Sequence, residues 1–472
     1  MTETRTDRAA LERGLHHALT FLDGLDQRPV LARAGLEELR RALGKPLPQT
    51  GVPGAQVVDE LVADAQPGIN ASQGGRFFGW VIGGGVPSAI AADWMTTVWD
   101  QNAALYAATP AAAVVEEVAG GWLKDLFGLP ADASFAFVTG CQMAHVTCLA
   151  AARHGVLRDR GWDVEHKGLF GAPPIRVLAN ADRHGSVDVA LRILGFGLDA
   201  IVPLPLDERN RVSAEGLKAA LAAGEGPTIV VLQAGELNLA GFDPFAELIP
   251  IAKAAGAWVH IDGAFGLWAR VSPRHRHLVE GVALADSWTT DGHKYLNVPY
   301  DSGLAFVRDV AAHRAAMTLS TSYLPAGGGV ARDPIDWTPE LSRRARGFAV
   351  YAALRELGRD GLADLVQRTS RHARALAEGI AALPGAELIG VSELNQALVR
   401  FLEPSPDASA KDHDARTDRI IAAVNSSGEA LFGGVDWRGR RCMRISVCNW
   451  RTTQDDIART IEAVRGALLQ NS

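Results

Sequence analysis

Cysteine is scarce in this chain: four residues among 472, at Cys141, Cys148, Cys442 and Cys448. None forms a CxxC pair or stands at zinc-type spacing with histidine, so neither a disulfide framework nor a zinc module organises the fold. The four read as reduced thiols. Basic excess is missing too: 47 Lys and Arg against 54 Asp and Glu leave a net charge of −7. That excludes the cationic footprint of a nucleic-acid binder or an anionic-membrane binder. No apolar run approaches the length that spans a bilayer. The opening MTETRTDRAALERG is polar and lacks the apolar core of a secretory leader, so a cytoplasmic protein is expected. Internal repeats and low-complexity segments are absent as well. What remains is ordinary globular composition, 47% hydrophobic and 21% charged, in a length that predicts two or three domains.

The first 45 residues place Leu11, Leu15, Leu19 and Leu22, then Leu36, Leu39 and Leu43, at helical spacing. They predict two amphipathic helices split near Pro29. Such a stripe cannot be buried by an arm alone, so it is expected to pack on a partner subunit. A Pro/Gly connector and a short helix near Asp59–Ala65 lead to RFFGWVIGGGVPS. Its VIGGG lacks both GxGxxG and GK[ST] and reads as a turn before a helix starting near Pro87. Helical patterning continues to Leu129 with a break at Thr109-Pro110.

FAFVTGCQMAHVTCLAAARHG then reads as strand, turn and long helix. The free N–H groups and positive dipole end of such a helix bind phosphate, which makes Thr139, Gly140, Cys141 and Gln142 candidates. An ordinary strand–helix junction has the same pattern. Strand signals alternate with helices through IRVLAN, AIVPLPL, TIVVLQAG, WVHIDGA, SWTTD and GLAFV. This predicts an α/β fold with a mostly parallel, seven-stranded sheet between helices. Ligands in such folds sit at the carboxyl ends of the strands. His184, Asn238, Asp262 and Lys294 each follow the end of a predicted strand. From about Trp337, long helical patterning, the strands LNQALVRF and MRISVCNW and a closing helix predict a small α+β domain. The expected division is an arm over 1–85, a large domain over 86–336 and a small domain over 337–472.

WVHIDGAFGLW and SWTTDGHKYLN organise the rest. The first is a buried strand delivering Asp262 at its end; the second carries His293 and Lys294 in a polar turn. A carboxylate and a lysine so arranged are what pyridoxal phosphate (PLP) requires. The lysine condenses with the cofactor aldehyde, and the carboxylate pairs with the pyridinium nitrogen. Opposite charge at close range favours the protonated ring. The lysine must reach its neutral amine, which a desolvated, cation-rich pocket would encourage. A helix-capping Asp and a surface Lys would leave the same letters.

With these motifs in hand, the chain resembles the group II PLP-dependent decarboxylases of fold type I. That family includes the aromatic-L-amino-acid, glutamate and histidine decarboxylases. HIDGA is similar to the family's HVDAA, DGHKYLNVPYDSG to its NPHKWLLVNFDCS, and the likeness runs from RFFGW to MRISV. It implies Lys294 as the cofactor-bound lysine, Asp262 as partner of the ring nitrogen and Ala264 beneath the ring. His184 in NADRHGSVDVA would stack on the ring near the departing carboxylate, although a histidine there also suits a helix cap. His293 would touch the phosphate or position the cofactor. Tyr323 in STSYLPAGG matches a loop tyrosine that returns a proton after CO₂ leaves, favouring amine over aldehyde. A tyrosine packed at a loop base is the alternative. The loop beside it, 325–334, would close over the site.

The departures are specific. TGCQMAH stands where the family has GSASEA or TSGGSEA. GELNLAGFD replaces its GTT, which would put Glu236 and Asn238 near the phenolic oxygen or the substrate carboxylate. Asp291 replaces the Asn of NPHK, and a carboxylate beside phosphate repels. The resemblance places Trp80 and Val81 in the substrate pocket, joined by Asn102 and Ala104 from the partner of a homodimer whose active sites lie at the interface. Small Val81 and Ala104 beside Trp80 suit an aromatic side chain, and no arginine stands out to hold a distal carboxylate. The expected reaction is decarboxylation of an L-amino acid to its amine. Aldehyde synthesis, transamination and carbon–carbon cleavage are alternatives on the same cofactor. A non-catalytic PLP-binding homologue would have lost the lysine or the tyrosine, and both are present.

Overall fold

The computed structural model describes residues 8–318 and 331–471. Tyr323 and most of the 325–334 loop lie outside the described residues.

Seven strands make the large sheet: β1 (Ser134–Val138), β2 (Arg176–Asn180), β3 (Ile201–Leu204), β4 (Thr228–Gln233), β5 (Trp258–Asp262), β6 (Ser287–Asp291) and β7 (Gly303–Val307). Their order is β1-β7-β6-β5-β4-β2-β3. The run from β6 through β5, β4 and β2 to β3 is parallel, while β7 is antiparallel to both neighbours. Every residue of β4 and β5 is buried, as befits strands covered on both faces. Alternation sends Val230 and Leu232 to one core with Phe245, Leu248 and Ile249, and Ile229 and Val231 to the other with Cys148, Leu149 and Ala152. The sheet is the α/β architecture expected from the alternating signals.

The small sheet, β8 (Ala386–Val391), β9 (Gln396–Phe401), β10 (Gly433–Trp437) and β11 (Arg440–Ser446), is antiparallel in the order β10-β11-β9-β8. Its apolar face packs on helices Gly347–Ala381, Ala410–Ser427 and Gln454–Gln470 through Leu376, Ile380, Ile420 and Val464.

The helical patterning expected from Asp336 onward begins only at Gly347, and Gly358, with φ 59°, interrupts it. Tertiary contacts explain the late start. Arg343 makes a buried ion pair with Glu116 at 2.7 Å and donates to the Ala103 and Phe137 carbonyls, which pins 343–344 as extended chain beside Asn102. Deleting one partner of such a pair costs about 3–5 kcal/mol, more than a helical turn returns. Among the described residues, no helix is long and apolar enough to cross a membrane.

Candidate active site

A cavity of about 430 Å³ opens at the carboxyl ends of β4, β5 and β6. Asp262 and Asp291 are the last residues of adjacent strands, and the turn after β6 brings Lys294 back beside them. The Gly-rich stretch forms another wall. A Cβ on Gly83 would stand 1.8 Å from the Lys294 carbonyl oxygen, and the Gly83 N–H donates to His293 O. VIGGG is therefore a close-approach segment lying on the lysine turn.

Asp262 is ionised. Its Oδ1 accepts from the Ala264 N–H at 3.1 Å, and Oδ2 faces His145 Nε2 at 3.5 Å. Burial opposes the charge, but His145, with His184 and Lys294, outweighs it and holds the carboxyl well below the usual range. A stable carboxylate facing the cavity is the group that keeps a pyridinium protonated.

Lys294 corrects the expectation of a cation-rich pocket. Its Nζ lies 3.0 Å from Asp291 Oδ2. Burial pulls the ammonium down, yet Asp291, then Cys141 and Asp262, leave its pKa raised. The lysine's nearest charge is an anion because β6 ends in one. Asp291 also takes the Cys141 N–H on Oδ1 at 2.7 Å, so a carboxylate occupies part of the helix start assigned to phosphate. The Cys141 thiol is buried and pushed far up by burial, with Asp291 and Asp262 adding to it.

His184 does two jobs. Its Nδ1 accepts from the Ser186 N–H at 3.2 Å, capping the helix Gly185–Ile193, while the ring lines the cavity. With Nδ1 accepting, the ring proton sits on Nε2. Burial lowers its pKa, against the pull of Asp262. His293 Nδ1 accepts from the Ser302 N–H at 3.1 Å, and its ring stacks on Tyr300 at 4.3 Å. Gly140, Gln142, Ala264, Trp80 and Val81 complete the cavity residues anticipated from sequence.

Others lie elsewhere. Thr139 is half-buried off the cavity wall. The Asn238 amide donates to Glu236 Oε1 at 2.6 Å, and Glu236 also accepts the Asn238 and Leu239 N–H groups, so this pair organises its own turn. Within one protomer, Asn102 accepts the Arg343 N–H and the Ala104 carbonyl accepts the Ile335 N–H, both away from the cavity.

Sequence reasoning passed over Arg444, which structure puts in the cavity wall. It reaches in from β11, donating to the Leu237 and Trp80 carbonyls, while Nη2 has no partner among the described residues. The signal was there: an arginine between Met443 and Ile445, in a strand segment buried throughout. His145, Phe265 and Tyr300 lie inside the quoted segments and were passed over, since no residue pattern singles them out.

The groups fit PLP: a primary amine, an ionised carboxylate behind it, a helix start and an imidazole surround one cavity. Comparison with known proteins agrees. Residues 37–402 match the pyridoxal-dependent decarboxylase conserved domain. The chain is 32% identical over 385 residues to L-2,4-diaminobutyrate decarboxylase of Rhizobium meliloti (strain 1021), covering 80% of this chain and 74% of that protein. It is 25% identical over 458 residues to aromatic-L-amino-acid decarboxylase of Bacillus atrophaeus, covering 95% and 92%. The crystal structure of Oryza sativa TDC with PLP and tryptamine shares the fold, with TM-score 0.92 at 22% identity over 100% of this chain and 99% of that one. This chain belongs to the pyridoxal-dependent decarboxylase family and is a PLP-dependent carboxy-lyase.

Proposed function

We propose that the cavity decarboxylates an L-amino acid with an aromatic side chain, releasing the amine. The observation that carries the site reading is the meeting of Lys294 and Asp262 in one cavity at the ends of neighbouring strands. When bound, PLP supplies the electron sink for the bond broken at the substrate α-carbon. Lys294 would anchor it, and Asp291 Oδ2, 3.0 Å from Nζ, accepts a hydrogen bond from the ammonium. Asp262 would face the ring nitrogen. His184 lines the same cavity and would present its Nε2–H to the reacting side, and Tyr323 would return the proton that makes amine the product. Trp80, Val81, Ile82 and Phe265 give the side chain an apolar wall.

A second reading has one observation behind it. Arg444 is 8% exposed and its Nη2 has no partner among the described residues, which suits a substrate with a side-chain carboxylate. Exposed Leu11, Leu15 and Leu19 on the arm and Trp94, Met95, Val98 and Trp99 on the helix Pro87–Trp99 support a homodimer. In that assembly, Asn102 and Ala104 serve the partner's cavity. Four unpaired, buried thiols support a reducing, cytoplasmic setting.

The test is a panel of L-amino acids, carboxyl-labelled, incubated with PLP-loaded enzyme while CO₂ and amine are measured. Release from aromatic substrates with equal amine supports the proposal. Release from acidic substrates alone, with KM raised by Arg444→Met, selects the second reading. No release from any substrate overturns both.

A further inference from the structure

Behind Asp262, on the side away from the cavity, runs a buried chain of four side chains. The Trp258 indole N–H donates to Ser287 Oγ at 2.9 Å; Ser287 Oγ meets His260 Nδ1 at 2.9 Å; His260 Nε2 meets His145 Nδ1 at 2.9 Å; and His145 Nε2 ends 3.5 Å from Asp262 Oδ2. Both imidazoles and Ser287 are fully buried, and His145 Nε2 has no other partner among the described residues.

The carboxylate end sets the direction of the chain for rings that each carry one proton. An indole nitrogen can only donate, and a carboxylate can only accept. Run forward, Ser287 gives its proton to His260 Nδ1, His260 Nε2–H donates to His145 Nδ1, and His145 Nε2–H donates to Asp262. Each ring then carries a single proton, the three 2.9 Å contacts are hydrogen bonds, and the Nε2–H of His145 reaches Asp262 Oδ2 in a longer, 3.5 Å polar contact. Run backward, His145 would present a lone pair to a carboxylate in a buried site, a repulsive contact. Burial holds the His260 imidazole well below its usual pKa, in keeping with a single proton there.

We infer that His145, His260, Ser287 and Trp258 form a one-way donor chain that orients the Asp262 carboxylate toward the cofactor's ring nitrogen without neutralising it, His145 being the positioning residue. A charged partner at this place would compete with the pyridinium for the carboxylate. A donor that adds no charge fixes the geometry and leaves the charge facing the cavity.

The inference rests on Asp262 meeting the ring nitrogen, so the test separates the two. Apoprotein is titrated with PLP to obtain Kd, and the ¹⁵N shift of labelled PLP in the holoprotein reports ring protonation. His145→Ala is expected to weaken PLP binding about tenfold and to move the ¹⁵N shift toward the unprotonated ring. His145→Gln, whose amide can donate at similar reach, is expected to restore both. Ser287→Ala, a small change that should fold even where His145→Ala does not, is expected to shift both readouts about threefold less. A His145→Ala protein that loses thermal stability while Kd and ¹⁵N shift match the parent would show a merely structural chain and overturn the inference. Asp262→Asn is the control: if it too leaves the ¹⁵N shift unchanged, the placement of Asp262 against the ring fails, and the chain's role fails with it.

Discussion

Two carboxylates end neighbouring strands and line the same cavity, yet their surroundings prepare them for opposite work. Asp262 is backed by an imidazole N–H and a backbone amide, donors that hold it without meeting its charge with a full cation at contact distance. Asp291, 2% exposed, has a lysine ammonium at 3.0 Å and a helix-start N–H at 2.7 Å. One charge is available to a ligand; the other is neutralised within the protein. Residue type and strand position are the same, so the difference lies in what the next turn delivers. Gly263 and Ala264 bring no cation to β5, whereas the turn after β6 brings Lys294.

The largest effect should come from removing the available charge. Asp262→Asn keeps the shape and the Ala264 contact but would remove the anion proposed to face the ring nitrogen. Turnover should fall by about a thousandfold, or ~4 kcal/mol in the barrier. A loss below tenfold, measured as kcat at saturating PLP, would make the two carboxylates equivalent and break the comparison.

The comparison also assumes that burial keeps imidazoles neutral, and His313, away from the cavity, tests that premise. Its Nε2 donates to the Trp337 carbonyl at 2.9 Å, and its Nδ1 lies 2.8 Å from Ser134 Oγ, whose hydroxyl donates to the Val307 carbonyl at 3.0 Å. Burial, with Arg332 nearby, lowers its pKa from 6.5 to about 3. Because the folded value is depressed, the unfolded chain binds the extra proton first. Stability should therefore fall as pH drops through the window from 6.5 to about 3, by about 1.4 kcal/mol per pH unit from this group. Denaturant titrations of His313→Gln should show a flatter acid limb than the parent; parallel limbs would mean the ring is protonated while folded.

Much of this was legible beforehand, and unevenly so. The sheet was readable because period-2 burial and unbroken apolar runs such as TIVVLQ leave few alternatives. The cavity positions of Asp262, Lys294 and His184 were readable because each stands at or just beyond a strand end, the place where such folds hold ligands. Arg444 was hidden because strand patterning marks it as an interruption and says nothing about which cavity lies opposite. His145 looked like one more residue of a buried helix; its meaning comes from His260, 115 residues away in sequence. The doubt over Asp291 arose from imagining it against phosphate alone, since letters do not show that the lysine three residues on folds back to meet it. The late helix start at Gly347 depended on the buried Arg343–Glu116 pair, a contact with no local trace.

The smallest expected effect sharpens the comparison most. Asp291→Asn keeps an oxygen for the Cys141 N–H, so the helix start should survive, but it removes the anion that stabilises the Lys294 ammonium. Capture of the cofactor aldehyde needs the neutral amine, and in the parent Asp291 delays that form to higher pH. With the carboxylate gone, burial acts alone and pulls the amine pKa down. The pH profile of PLP capture by apoprotein, followed by stopped-flow absorbance, should move to lower pH by about one unit, equivalent to ~1.4 kcal/mol. The same substitution should leave the ¹⁵N shift of the bound ring untouched, because that reports on Asp262. A variant that moved both readouts together would mean the two carboxylates act as one coupled pair, and the division between an available charge and a neutralised one would have to be given up.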